Sequence, residues 1–356
     1  MKPSSWSRRF ALKQSLLGLA AVFQSRSSLR AFGKSQTPSI NGRHITPEIE
    51  TSIAKGLDWL ASRQMPDGGF GRGRSYSRNV GVCALSGLAF LSSCGPRGPY
   101  RQEIARCIRY LLGREQTDGF IVEEEVCTHA PLYGHGYSTL FLGQAYGEFD
   151  EHGLRDCLQR ATELTLRLQD SEGAWQYSTE PDDADTSITT CMMMSLFSAH
   201  QAGISVPREA IERGVSFLQR CQNPDGGFRY RLIDPPVSLF PRSAAVIVTL
   251  IFSGLLRDHA VEKAFKYLWE NSVPEKSPRD GRSEYYYYGL FYATHAAWLA
   301  GDEAWDAWFP QTRDELLKRQ TSQGKWEDSI IGDEYATAMA LLILQFPLSQ
   351  IPLFAL

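Results

Sequence analysis

The densest run of groups able to do chemistry in this 356-residue chain is Asp182-Asp183-Ala184-Asp185-Thr186-Ser187. Crowded carboxyls suit acid–base work on a bound substrate, and paired acids backed by aromatic walls also suit glycan cleavage. A plainer reading stands beside these: Asp185 or Thr186 caps a helix and the other carboxylates are solvated. Further polar residues gather at five comparable places, including Asn79, His129, His135, Arg242, Glu284 and Glu334. Tyrosines accompany them: Tyr133 and Tyr137, the run Tyr285 to Tyr288, and Tyr335. His129 and His135 stand six residues apart, which is not the i, i+4 spacing of a helical metal pair, so hydrogen-bonded turn histidines are expected. With Tyr292, Trp298, Trp305 and Trp308, the tyrosine run could wall an aromatic cavity, although packing between helix layers is the simpler expectation.

What must position these residues is a repeat. Gln64-Met-Pro-Asp-Gly-Gly-Phe70, Gln116-Thr-Asp-Gly-Phe120, Gln169-Asp-Ser-Glu-Gly-Ala-Trp175, Gln222-Asn-Pro-Asp-Gly-Gly-Phe228 and Gln320-Thr-Ser-Gln-Gly-Lys-Trp326 share one pattern, their glutamines 52, 53, 53 and 98 residues apart. The last gap fits two units with a degenerate turn near 270–281, giving six units of helix, Gly-containing turn and helix. The first helix of each unit alternates charges with an apolar stripe, as at Ile53, Leu57 and Leu60. The second carries no Lys, Arg, Asp or Glu across 80–91, 136–147, 191–199, 243–256, 289–301 and 335–346. A helix apolar on every side is buried on every side. Six wet helices therefore wrap six dry ones in two concentric layers, an all-α α/α toroid in which the turn glycine ends the outer helix and the polar groups before each dry run converge on one mouth. The period alone leaves an open solenoid in play.

The repeated pattern is similar to the QW repeat of squalene and oxidosqualene cyclases and to the repeats of protein prenyltransferase β subunits. Segments such as Tyr133-Gly-His-Gly-Tyr137 and Tyr335-Ala-Thr-Ala-Met339 resemble those of exported prenyltransferase and squalene-oxidase repeat proteins. The resemblance covers the chain from about residue 46 to its end. It implies an isoprenoid or other apolar ligand in the central cavity. The acid run resembles the Asp-x-Asp-Asp-Thr-Ala motif of class II cyclases, where crowded carboxylates keep one acid protonated to start cation cyclisation. Aligned on Thr186, the donor position is Ala184; Asp182 and Asp185 match the flanking acids, and Asp183 points about 100° away along a helix start. The zinc of prenyltransferases is not expected, because Asp183-Ala184-Asp185 lacks the cysteine of their Asp-x-Cys ligand pair. The catalytic candidates are thus Asp182, Asp183 and Asp185; the ligand-binding candidates are Asn79, His129, His135, Tyr137, Thr186, Arg242, Glu284, Tyr286, Tyr287, Glu334 and Tyr335. A non-catalytic binding or scaffold toroid and a carbohydrate-active toroid are the alternatives.

Composition bounds the rest. Lys plus Arg total 37 against 40 Asp plus Glu, so nothing favours nucleic acid or an anionic membrane surface. Dry runs of 9 to 14 residues are too short for a multi-span membrane protein. No phosphate loop, dinucleotide fingerprint or nucleophile elbow appears, and no cofactor is expected. Seven cysteines, with no C-x-x-C pair, read as buried thiols rather than a disulfide framework. Residues 1–33 have a signal-peptide layout: Ser7-Arg8-Arg9-Phe10-Ala11-Leu12-Lys13 resembles a twin-arginine export signal, followed by an apolar stretch centred on 16–23. Residues 34–45 read as a linker, 46–356 as the toroid, and the protein as exported.

Overall fold

A computed structural model describes residues 44–72, 76–123, 130–179, 183–271 and 285–348. The export-like segment, His129, Asp182 and Glu284 lie outside the described residues. Among those described there are twelve α-helices and no strand, in outer–inner pairs: α1 (Pro47–Arg63) and α2 (Val80–Cys94), α3 (Arg101–Leu112) and α4 (Pro131–Ala145), α5 (Leu154–Arg167) and α6 (Thr186–Gln201). Then come α7 (Arg208–Arg220) and α8 (Phe240–Phe252), α9 (His259–Asn271) and α10 (Tyr286–Ala300), α11 (Asp302–Arg319) and α12 (Asp333–Leu344). The even-numbered helices are buried almost throughout, while the odd-numbered ones bury a single stripe, such as Ile104, Cys107, Ile108 and Leu111 of α3. The six expected pairs are all present. No described helix is long and apolar enough to cross a membrane.

The inner helices touch in the order α2, α4, α6, α8, α10, α12 and back to α2, so the solenoid closes. Closure reuses the repeat's own chemistry. The Gln64 side-chain amide donates to the carbonyl of Gly68 (3.1 Å) and to that of Glu103 on the next outer helix (3.0 Å). Gln169 does the same to Gly173 and Ala210, and Gln222 to Gly226 and Ala260. Gln320 completes the circle by donating to Gly324 (2.8 Å) and to Ser52 of α1 (2.9 Å). Gln345 of the sixth unit also reaches Ala89 of the first at 3.1 Å.

The repeated glycine has a different task from the one expected. The outer helices end before it, α1 being capped at Gln64 and α11 at Gln320. Gly68, Gly173 and Gly324 lie four residues beyond their glutamines with φ of 95°, 89° and 91°. A Cβ on Gly68 would stand 2.4 Å from the Arg106 carbonyl, one on Gly173 2.4 Å from that of Arg213, and one on Gly324 2.7 Å from that of Lys55. Glycine is required because the turn lies flat on the next outer helix in a left-handed conformation. The turn's aromatic then plugs the junction: the indole N–H of Trp175 donates to the Thr165 carbonyl, and that of Trp326 to the Leu316 carbonyl.

All inner helices but α2 also begin earlier than their charge-free runs. Pro131 starts α4 and Thr186, after the Asp185 cap, starts α6, each five residues ahead of the run read from composition. Several residues placed at the mouth by sequence are therefore already inside a helix. Cys83, Cys107, Cys157, Cys191 and Cys221 are free thiols in the core.

Candidate active site

The mouth is the end of the ring where the inner helices begin. Helices α4 and α10 face each other across it, being three places apart in the circle of six. Each presents two tyrosines one turn apart, Tyr133 and Tyr137 on α4 and Tyr288 and Tyr292 on α10. Tyr133 and Tyr137 stack with centroids 6.3 Å apart, and Tyr288 and Tyr292 lie 4.8 Å apart. At the inner level, Tyr137 and Tyr292 come within reach of each other. This end of the ring, the vestibule, also holds Tyr335 and Cys191, both close enough to act electrostatically on Tyr137. One turn further along α10, Phe252, Phe291 and Phe346 pack around His295 with centroids 5.1 to 6.2 Å from its ring. Burial pushes His295 down to about 3, so it is neutral.

Asp185 stands at the start of α6 with its side chain fully buried. Its Oδ1 accepts from the amides of Ser187 (2.6 Å) and Ile188 (3.1 Å), the cap expected from sequence. Its Oδ2 is buried and has no hydrogen bond of good geometry among the described residues. Burial raises the carboxyl to about 6; the two cap amides and then the nearby phenols of Tyr177 and Tyr230 oppose that rise. Tyr177 and Tyr230 are hydrogen-bonded to each other. The Tyr288 hydroxyl is likewise buried without a hydrogen-bond partner among the described residues, and it lies within electrostatic reach of Asp185.

The other candidates divide by place. Asp183 is exposed and paired with Arg231 at 2.9 Å; it precedes the Asp185 cap in non-helical backbone, so the helical offset expected of it does not apply. Thr186 is buried, its hydroxyl donating to the Arg229 carbonyl. Arg242 spends its guanidinium on the carbonyls of Phe228 and Val237 and lies 5.5 Å over the Tyr230 ring. Asn79 caps α2 by accepting from the Val82 amide at 3.0 Å. His135 sits in the second turn of α4, where it ties layers together. Its Nδ1 accepts from the Ile121 amide and its Nε2 reaches the Ala161 carbonyl and Thr165. Thr189, Ser243 and Thr337 do the same in other units for Trp175, Phe228 and Trp326. The structure thus assigns His135 a repeat strut's geometry, with both ring nitrogens engaged and burial lowering it to about 4. Glu334 seals the seam between the last and first units through Arg63 at 3.2 Å. Tyr286 lies 4.5 Å under the Arg319 guanidinium, and the Tyr287 hydroxyl donates to the Glu327 carbonyl. Tyr287 meets Tyr335 edge-on at 6.5 Å. Trp298 and Trp305 pack between layers, and Trp308 lines an outer cleft of about 500 Å3 with Trp269.

Sequence reasoning missed Tyr177 and Tyr230. Each stands two residues after its turn aromatic, so superposing the repeats would have exposed both.

A closed α6/α6 ring whose inner helices begin at one tyrosine-lined end is an α/α toroid. The family described as the prenyltransferase alpha-alpha toroid domain matches residues 39–122 and 132–234, more than half of the chain, and the protein belongs to it. A drimenyl diphosphate synthase from Streptomyces showdoensis is 24% identical over 184 residues, 51% of this chain and 32% of its own length. The chain therefore spans about a third of that relative. Among solved structures, a variant of the type II terpene cyclase MstE from Scytonema, in complex with geranylgeranyl dihydroxybenzoate, superposes with a TM-score of 0.58 at 15% identity. The match covers 84% of this chain and 97% of the cyclase. An inactive α-1,6-mannanase from a Salegentibacter species, in complex with α-1,6-mannotriose, gives 0.63 at 11% identity, covering 83% and 98%. At such identities the two structures speak for the fold alone.

Proposed function

We propose that this toroid binds an apolar, isoprenoid-type molecule in its tyrosine-walled vestibule and presents Asp185 to it as an acid. The observation that carries the reading is the pair of buried polar atoms, Asp185 Oδ2 and Tyr288 OH, within electrostatic reach of each other and neither with a hydrogen bond of good geometry among the described residues. Leaving a buried polar atom unsatisfied costs about 1–3 kcal/mol, a cost that belongs to a binding site more readily than to an inert core. A carboxyl raised to about 6 keeps part of its proton near neutral pH. In the step it can perform, the Oδ2–H bond breaks and the proton passes to a ligand π bond, leaving a carboxylate still held by the Ser187 and Ile188 amides. The cation formed would face the tyrosine rings, whose π electrons favour positive charge.

The isoprenoid class is supported by the relative named a drimenyl diphosphate synthase and by the terpene cyclase solved with a geranylgeranyl compound. The acid offered here stands one residue beyond the cyclase donor position, which is Ala184. Glycan cleavage needs two carboxyls flanking one bond; among the described residues of the acid run, Asp183 is paired with Arg231 rather than set opposite Asp185. Mass spectrometry of lipid extracted from the purified protein, followed by geranylgeraniol binding and turnover with wild type and Asp185→Asn, tests the reading. An isoprenoid in the extract and lost turnover in the variant support it. An extract of buffer components only, with no geranylgeraniol binding, would replace it with a scaffold role.

Export of the toroid, taken from residue 46 onward, belongs to the same proposal and is supported by the twin-arginine pattern at Arg8 and Arg9. Replacing both with Lys is expected to hold the precursor in the cytoplasm; unchanged fractionation would count against that route.

A further inference from the structure

We propose that Tyr177 and Tyr230 form a phenol clamp beside Asp185 that sets how readily its carboxyl gives up its proton. This rests on reading Asp185 as the acid of the vestibule. The clamp is visible first as a break in the repeat. Two residues after the turn aromatic, the first, second and sixth units carry Arg72, Val122 and Asp328. The third and fourth carry tyrosine, and these two units flank the start of α6. In a ring built from near-copies, a pair of matching exceptions beside the buried acid singles out that junction.

The backbone then fixes both side chains. The Tyr177 carbonyl accepts from the Leu132 amide at 3.0 Å, tying its turn to α4, while the Asp185 amide donates to the Trp175 carbonyl at 3.3 Å. On the other side, the Thr186 amide donates to the Tyr230 carbonyl at 3.0 Å and its hydroxyl to the Arg229 carbonyl at 3.2 Å. The two turns therefore grip the first turn of α6 from both flanks, and their phenols meet by a hydrogen bond, both within reach of the Asp185 carboxyl. Each ring has a backstop: Tyr133 packs on Tyr177 at 5.7 Å, and Arg242 and Arg231 lie 5.5 and 6.0 Å over Tyr230. One phenol donates its only proton to the other, which leaves the second phenol's proton for the carboxyl, and a donor aimed at a carboxylate favours its charged form.

Other groups facing Asp185 are Tyr133 from α4, Tyr288 from α10, and Arg242 and Cys221 from the fourth unit. Burial keeps the phenols of Tyr133, Tyr177, Tyr230 and Tyr288 neutral, so these rings act on the acid as dipoles, while Arg242 adds a positive charge.

The test is the titration of the Asp185 carboxyl, followed by carbon-13 NMR or isotope-edited infrared spectroscopy on the full chain without ligand and assigned by its disappearance in Asp185→Asn. In wild type the midpoint is expected near 6. Tyr177→Phe and Tyr230→Phe should each raise it by about one unit, and the double variant by less than the sum, because each phenol orients the other. A midpoint unchanged in either folded single variant overturns the clamp. Since the titration needs no ligand, it stands or falls apart from the lipid extraction and turnover that test the function itself.

Discussion

Asp185→Asn is expected to make the protein more stable at neutral and alkaline pH. Asparagine caps a helix as well as aspartate does, so its side-chain oxygen can replace Oδ1 at the amides of Ser187 and Ile188. Its amide nitrogen then faces Tyr177 and Tyr230 without a charge to desolvate. The aspartate titrates at about 6 in the folded chain against 3.8 for a free side chain. Because the folded value is the higher one, the folded state holds the proton more tightly, and ionisation disfavours folding. The penalty is absent below about pH 4, grows as pH rises between the two values and is complete above the folded one. Two units correspond to about 3 kcal/mol at pH 8. Urea unfolding of both proteins from pH 4 to pH 8 reads this directly: the midpoints should coincide at the acid end and separate in favour of the variant with rising pH. If the Asp185→Asn variant is less stable than wild type at pH 8, the carboxylate contributes net stability where it sits, and the case for a strained acid fails. The expected pattern is that of a group retained for function against stability.

Two further outcomes follow from the ring. Gly173→Ala should cost more than about 2 kcal/mol, because the new Cβ meets the Arg213 carbonyl at 2.4 Å in a left-handed conformation. Gly203→Ala, with φ of 83° and no atom within 4 Å, should cost about 1 kcal/mol; equal losses in urea unfolding would remove the contact with the neighbouring helix from the explanation. Gln320→Ala removes donations to Ser52 and Gly324, and Gln169→Ala the matching pair to Ala210 and Gly173. Both should lose about 2 kcal/mol, and a negligible loss at Gln320 alone would show that the last junction does not hold the circle shut.

The chain by itself determined the layers, the number of units and the family, because those follow from which helices tolerate water and from a period repeated along the sequence. The Gln and Gly of each turn were legible as signals, although their partners were not: the carbonyls of Glu103, Ala210 and Ser52 lie up to 268 residues away, and a backbone carbonyl leaves no mark in sequence. Closure was hidden for the same reason, since a period is identical in an open and a closed array. Within the candidate site, capping by Asp185 was readable because it is local. The separation of its two oxygens, one on the cap and one buried without a hydrogen bond of good geometry among the described residues, needed α4, α6, the fourth unit's turn and α10 brought around one axis. His135 shows the reverse case, a residue of reactive type whose helical register turns it outward to brace the layers. Tyr177 and Tyr230 lie 53 residues apart, and only folding brings their hydroxyls together beside a buried carboxyl. Local capping and hydropathy act over a few residues and can be read along the chain; desolvation and alignment across the ring depend on distances that exist only once the circle is closed.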